Sequence, residues 1–253
     1  MHAKPYVGIT GITKHEEIMA IERIIARLNW PPSHAVMLGV LVSGWTLEGK
    51  APSNPRQYPP TNQIDGLVSS HPGVINLVHY NNGRRPQALD LQIVELMRLA
   101  PGFDGVQLNF AWPNPVELRR GKLPGDVIVL QIGANAVREF GLDGSAGLLR
   151  AYGGITDYAL VDLSGGTGKP LDMNASLAMV AAFDTVINEH SLGIRLGIAG
   201  GLCAERMPAM EPLVQAYPEL SWDAQAGLRG ADDRLDVGRV RAYLEASRRL
   251  ILH

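Results

Sequence analysis

The sequence predicts a single (β/α)8 barrel, and three observations lead there. Eight short apolar runs recur along the chain, at residues 6–10, 35–42, 73–79, 105–109, 127–132, 157–162, 194–199 and 220–225. Most are continuous rather than alternating, the pattern of parallel strands covered on both faces. Helical patterns lie between them, and strand–helix alternation over 253 residues without a dividing linker fits one barrel. A doubly wound open sheet is the alternative. It is disfavoured because no Gly-x-Gly-x-x-Gly follows the first run.

The elements follow in order. Thr13-Lys14-His15-Glu16 has the S/T-x-x-E form of a capping box and opens a helix that runs to about Leu28. Residues 44–62, rich in Pro, Gly, Ser and Asn, form an extended loop after the second strand. In a barrel that loop sits on the carboxyl-terminal face, either as a lid or binding loop or as a plain surface insertion. Pro86 to Leu99 reads as a helix, with proline suited to its first turn and Leu89, Ile93, Leu96 and Met97 on one face. Residues 173–189 and 235–251 repeat that pattern.

Composition narrows the function classes. The balance of 23 basic against 25 acidic residues gives a formal net charge of −2, so no strong attraction to nucleic acid or anionic membrane is expected. Trp30, Trp45, Trp112 and Trp222 are not interleaved with basic runs, which argues against a platform for single strands. No apolar run is long enough to span a bilayer, and the amino-terminal segment lacks a signal-peptide core. A cytoplasmic protein is the expectation. Cys203 is the sole cysteine, so neither an internal disulfide nor a cysteine zinc site is possible, and the histidines lack metal-site spacing. No cofactor is expected, and the oligomeric state is left open.

The richest segment is Asp162-Leu163-Ser164-Gly165-Gly166-Thr167-Gly168-Lys169. An apolar run delivers an acid to a strand end, and a glycine-rich turn ending in lysine follows. Glycines allow backbone N–H groups to converge on an anion, so a proton-transfer group and a phosphate cradle lie a few residues apart. It is not a nucleoside-triphosphate loop, because the G-x-x-x-x-G-K-[ST] spacing is not met and Pro170 follows the lysine.

Taken strand end by strand end, the chain resembles the phosphoribosylanthranilate isomerase family of tryptophan biosynthesis. Ile9-Thr10-Gly11-Ile12-Thr13 is similar to that family's I-C-G-I-T, with Thr10 in place of the cysteine. Asn54-Pro55-Arg56-Gln57-Tyr58-Pro59 resembles its S-P-R-Y segment, and Val106-Gln107-Leu108-Asn109 its V-Q-L-H. Leu160-Val161-Asp162 with the glycine turn resembles L-L-D…G-G-x-G-K. Ala199-Gly200-Gly201-Leu202 and Asp223-Ala224-Gln225-Ala226-Gly227 are similar to the S/A-G-G-L and D-V-S-S-G turns. The matches keep family order over nearly the whole chain.

The resemblance implies a sugar-phosphate isomerase that performs an Amadori rearrangement. An acid opens a furanose ring, and a base then removes the C2 proton of the Schiff-base form. Asp162 matches the acid, and desolvation at a strand end raises a carboxyl pKa toward neutrality; a loop cap or an ion pair is its other reading. Thr10 stands at the base position, where a hydroxyl does not ionise unaided as a thiol of pKa ~8.5 does. His79, ending strand three, is a second source of a base or else a hydrogen-bonded structural residue. Arg56 matches the clamp for the anthranilate carboxylate, a task suited to a guanidinium fork, and is otherwise a solvated loop residue. Gln107, Asn109, Asp223 and Gln225 complete the substrate-binding set. The phosphate set is Gly165, Gly166, Thr167, Gly168 and Lys169 on loop six, Gly200 and Gly201 on loop seven, and Ala226 and Gly227 on loop eight. Cys203 reads as a packing residue before a reactive thiol. The partner implied is a phosphorylated small molecule. Two alternatives stay open: a non-catalytic barrel that binds a phosphate ligand, and a barrel enzyme with a different phosphorylated substrate.

Overall fold

The computed structural model describes residues 4–51, 54–82, 88–162 and 171–252. Eight strands close into a barrel: β1 (Tyr6–Thr10), β2 (Ala35–Ser43), β3 (Val74–Asn81), β4 (Gly105–Leu108), β5 (Val127–Gly133), β6 (Tyr158–Asp162), β7 (Arg195–Ala199) and β8 (Ser221–Ala224). Every pairing is parallel, and β8 returns to β1. The helices are α1 (His15–Arg27), α2 (Gly44–Leu47), α3 (Leu89–Leu99), α4 (Pro115–Gly121), α5 (Ala134–Leu148), α6 (Met173–Glu189), α7 (Glu211–Ala216) and α8 (Val237–Leu252). The fold is the (β/α)8 barrel that the apolar runs predict.

The strand alternation divides the apolar residues into two cores. Val7 and Ile9 of β1, Val36, Leu38 and Val40 of β2, and Trp222 of β8 face outward and pack under the helices. The indole N–H of Trp222 donates to Ser247 Oγ at 3.1 Å, which ties β8 to α8. Tyr6, Met37, Leu77, Val129, Tyr158 and Leu160 face inward as a separate cluster. Tyr6 and Tyr158 meet edge to face there, with ring centroids 5.0 Å apart. The polar inward positions, Thr10, His79, Gln107, Gln131, Asp162 and Asp223, are also all buried. They fall toward the carboxyl-terminal ends of their strands, where barrel enzymes carry their chemistry.

Several boundaries differ from the sequence reading for local reasons. α1 begins at His15, so the residue at the third helical position is Glu17 rather than Glu16. Its carboxylate accepts the backbone N–H groups of Thr13 at 2.7 Å and Lys14 at 3.0 Å, satisfying donors that a helix start leaves free. α8 begins at Val237 rather than Leu235, because Leu235 is held in an antiparallel bridge to Arg229. The loop after β2 is not irregular throughout: Ser43 Oγ accepts the N–H of Thr46 and caps α2, and a 3-10 helix follows over Thr61–Gly66. Pro86, expected in the first turn of α3, lies outside the described residues, and that helix is described from Leu89. Residues 173–189 are helical as predicted, with Asp172 capping the start by accepting the N–H of Ala175. Among the described residues no helix is long and apolar enough to cross a membrane.

One glycine sets the spacing of β4 and β5. A Cβ on Gly105 would sit 1.9 Å from the carbonyl oxygen of Val127 and 2.6 Å from its nitrogen. Both atoms are backbone, so neither moves without breaking the pairing of the two strands. Gly105→Ala is expected to cost on the order of 2–3 kcal/mol, measured as a lowered chemical-denaturation midpoint, and an unchanged midpoint would refute this account of the contact.

Candidate active site

The register of the strands brings two carboxylates into one row. Asp162 of β6 pairs with Ala199 of β7, Ala199 with Asp223 of β8, and Asp223 with Gly8 of β1. Two strand spacings, roughly 9–10 Å along the sheet, separate the backbone positions of Asp162 and Asp223. Side chains from the opposite wall bridge them. Gln107 of β4 offers its amide to Asp223 Oδ2 at 3.4 Å, to Gln131 Oε1 at 3.3 Å and to His79 Nδ1 at 3.3 Å. An amide has two N–H groups, so these three acceptors compete for them. Gln131 of β5 in turn donates to Asp162 Oδ2 at 3.1 Å.

Thr10 completes the arrangement. Its hydroxyl lies 3.0 Å from both carboxylate oxygens of Asp223 and donates to them. The room for this pair comes from two glycines. A Cβ on Gly8 would lie 2.5 Å from Asp223 Oδ1, and one on Gly39 would lie 2.7 Å from Thr10 Oγ1. Any larger residue in either place would displace the side chain it faces.

Burial decides the charge states. The Asp223 carboxyl is pushed up to about 7, chiefly by desolvation, while the hydrogen bonds from Gln107 and Thr10 oppose the rise and Asp162 adds to it. His79 is pushed down to about 4 by burial. Its imidazole is therefore neutral at pH 7, and its Nε2 is buried without a partner. An imidazole with so low a pKa is a weak proton acceptor. That weighs against His79, the second source of a base in the sequence reading after Thr10.

A cavity of about 240 Å³ opens beside the row and is lined by His79, Asn109, Gln131, Asn135, Asp162 and Gln225 among others. Asn109 and Gln225 thus share one cavity with Asp162 and His79. Gln131 and Asn135 escaped the sequence reading. Gln131 did carry a signal, as the single amide in the otherwise apolar run Val127-Ile128-Val129-Leu130-Gln131-Ile132.

The rim is less favourable to the sequence reading. Arg56 is exposed, and its described hydrogen bond is a backbone one, from its N–H to Asn54 Oδ1 at 3.1 Å. Its neighbours do the anchoring. Asn54 and Gln57 both donate to the Asp233 carboxylate at 2.9 Å, and Gln225 donates to Gln57 Oε1 at 3.4 Å. The loop after β2 is thereby fastened to the loop after β8. Arg229, which the sequence did not single out, is buried beneath both and donates to the Asp233 carbonyl at 2.9 Å.

Gly165, Gly166, Thr167, Gly168 and Lys169 lie outside the described residues. On loop seven, Gly200 and Gly201 have φ of 134° and 58°, conformations that favour glycine. On loop eight, Ala226 opens a 3-10 turn. A Cβ on Gly227 would meet the Leu202 carbonyl oxygen at 2.1 Å. The glycines therefore bring loops seven and eight against each other, and this close approach accounts for Gly227 without a ligand. Cys203 is partly buried, and burial together with a hydrogen bond to Glu205 pushes its thiol up. That agrees with a packing role rather than a reactive one.

The raised pKa of Asp223 ties the site to stability. With a folded value near 7 against an ordinary carboxyl value of 3.8, the folded state holds a proton that the unfolded chain has released. The native state therefore loses stability as pH rises from about 4 to about 7, by on the order of 4 kcal/mol in the limit. His79, lowered to about 4, acts in the opposite sense between about 4 and 6.5. A comparison of two proteins isolates Asp223. The stability of Asp223→Asn minus that of wild type is expected to rise between pH 4 and 7.5 in urea titrations, and a flat difference would contradict the assignment.

No family model matches the chain, and no curated protein sequence matches it. Solved structures do. The phosphoribosyl anthranilate isomerase from Thermus thermophilus superposes with a TM-score of 0.64 at 16% identity, over 97% of this chain and 99% of that one. TrpF from Jonesia denitrificans gives 0.62 at 13% identity over 98% of each chain. A phosphoribosyl anthranilate isomerase in complex with reduced 1-(o-carboxyphenylamino)-1-deoxyribulose 5-phosphate gives 0.57 at 15% identity, over 97% of this chain and 98% of that one. At such identities the likeness is one of fold: this chain is a (β/α)8 barrel similar end to end to phosphoribosylanthranilate isomerases, the family its strand-end motifs resemble.

Proposed function

We propose that this chain is an isomerase of the phosphoribosylanthranilate isomerase type, acting on a phosphorylated aminosugar with Asp162 as its acid. The observation that carries the reading is the position of Asp162. It ends β6, is buried, lines the cavity at the carboxyl-terminal mouth, and is held through one oxygen by Gln131. A carboxyl group so placed is suited to deliver a proton to a ring oxygen in the cavity, opening the furanose to its Schiff-base form. The surrounding amides of Asn109, Gln131, Asn135 and Gln225 suit the hydroxyls of a sugar. The phosphate would be taken by backbone N–H groups of loops seven and eight at Gly200, Gly201, Ala226 and Gly227. Gly165, Gly166, Thr167, Gly168 and Lys169 join them on sequence grounds.

A second reading keeps the scaffold and the phosphate but changes the other half of the substrate. Arg56 favours it, because the side chain that matches the carboxylate clamp is exposed while its neighbours are engaged with Asp233. A substrate without the anthranilate carboxylate would not need that arginine.

Turnover of phosphoribosylanthranilate, followed as loss of its fluorescence, tests the first reading. Wild type is expected to turn it over, and Asp162→Asn to lose roughly 10²–10⁴-fold in kcat while retaining ribose 5-phosphate binding. A silent wild type that still binds ribose 5-phosphate would transfer support to the second reading. Failure of both turnover and binding would remove the phosphate site as well.

A further inference from the structure

We infer that Asp223 is the general base of this site and that Thr10 is the residue that positions it. The inference rests on the isomerase reading above and supplies the step that reading leaves open, since the threonine at the family's cysteine position does not ionise.

The geometry carries it. Asp223 and Thr10 are both buried inside the barrel, on neighbouring strands that pair along their length. The Thr10 hydroxyl donates to both oxygens of the carboxylate at 3.0 Å, which fixes the plane of the carboxylate. Gly8 and Gly39 leave the volume these two side chains occupy, as the short distances to an added Cβ show. A threonine whose methyl merely filled space would not need its hydroxyl aimed at a carboxylate. Asp223 also sits in the same register row as Asp162, with only the small Ala199 between them. Asp162 lines the cavity at the mouth, and Asp223 lies buried two strands away in the same inward layer, linked to it through the Gln107 and Gln131 amides.

The step balances without any co-reactant. Once Asp162 has given its proton to the ring oxygen, the open form carries a protonated imine at C1. The carboxylate of Asp223 takes the C2 proton. The C2–H electron pair becomes the C1–C2 double bond, and the imine π pair moves to nitrogen, giving the neutral enolamine. Tautomerisation then delivers the aminoketose. A carboxyl near pH 7 is half ionised at neutrality, so it accepts a proton and returns it readily. The groups that face Asp223 are Thr10 from β1, Gln107 from β4 and the Asp162 charge from β6. The neutral phenols of Tyr6 and Tyr243 also feel its charge, and His79 reaches it only through Gln107. Among these, Thr10 and Gln107 are the donors that stabilise its ionised form.

The test is the pH dependence of kcat/KM with phosphoribosylanthranilate in wild type, Asp223→Asn, Thr10→Val and Thr10→Ser. Asp223→Asn is expected to lose roughly 10²–10⁴-fold in kcat with ribose 5-phosphate affinity retained. Thr10→Val keeps the volume and removes the donor, so the acid limb of the profile is expected to move to higher pH. Thr10→Ser restores the donor and returns the limb toward its wild-type position. An active wild type whose Asp223→Asn variant keeps its rate overturns the base assignment and leaves the isomerase reading standing. A Thr10→Val profile that falls in height without moving along the pH axis overturns the positioning role. A wild type without turnover sinks the isomerase reading itself, and the C2 base with it.

Discussion

The desolvated carboxylate of Asp223 is the constraint around which the mouth of this barrel is organised. A buried carboxylate is tolerated only where donors meet it or where it holds a proton. Here both conditions apply: Thr10 and Gln107 supply hydrogen bonds, and burial raises the carboxyl to about 7. The residues around it follow from that requirement. Gly8 and Gly39 are small because the pair needs their space. Gln107 must be an amide, because it donates toward Asp223, toward His79 and toward Gln131 from the one nitrogen. Gln131 then transmits the arrangement to Asp162 by donating to it.

The apolar floor beneath this layer has an electrostatic effect as well as a mechanical one. Tyr6, Met37, Leu77, Val129, Tyr158 and Leu160 fill the lower barrel and exclude water from the underside of the polar ring. Burial is what moves Asp223 up and His79 down. The same packing that stabilises the fold thus sets the protonation states of the mouth. It also sets two buried polar side chains apart: one is a neutral imidazole, the other a carboxyl poised near neutrality.

The fold was legible because parallel strands in a barrel are covered on both faces and so appear as unbroken apolar runs. All eight runs coincide with strands to within a residue or two. The layer of the site was legible only in part. Asp162, His79, Asn109 and Gln225 come together at one cavity, since strand ends in a barrel converge whatever the loops do. Thr10 is visible in the sequence as a departure from the family motif, but its bond to Asp223 is not, because β1 and β8 lie at opposite ends of the chain and only closure of the barrel pairs them. Gln131 lies within an apolar run, where periodicity alone does not mark it, although an amide at an inward position is the kind of residue such a run does not otherwise tolerate. Arg56 was placed by its motif alone, and a motif does not report which neighbour an adjoining loop will capture; Asp233 takes Asn54 and Gln57 and leaves the arginine outside.

Thr10 also bears on how such a site changes its chemistry. A thiol at this position would bring its own ionisable proton and would not depend on the strand beside it. A hydroxyl has none to offer near neutrality, so proton transfer has to come from a neighbour that the barrel already holds. The neighbour in reach is Asp223, and its pKa is moved in the required direction by burial that the fold imposes for its own reasons. If Asp223 is the base, as proposed above, the role that a thiol on β1 would have is carried across one strand pairing, on β8. The consequence is a tighter coupling between stability and activity than a cysteine would impose, because the charge that would perform the proton transfer is the one whose burial opposes folding at neutral pH.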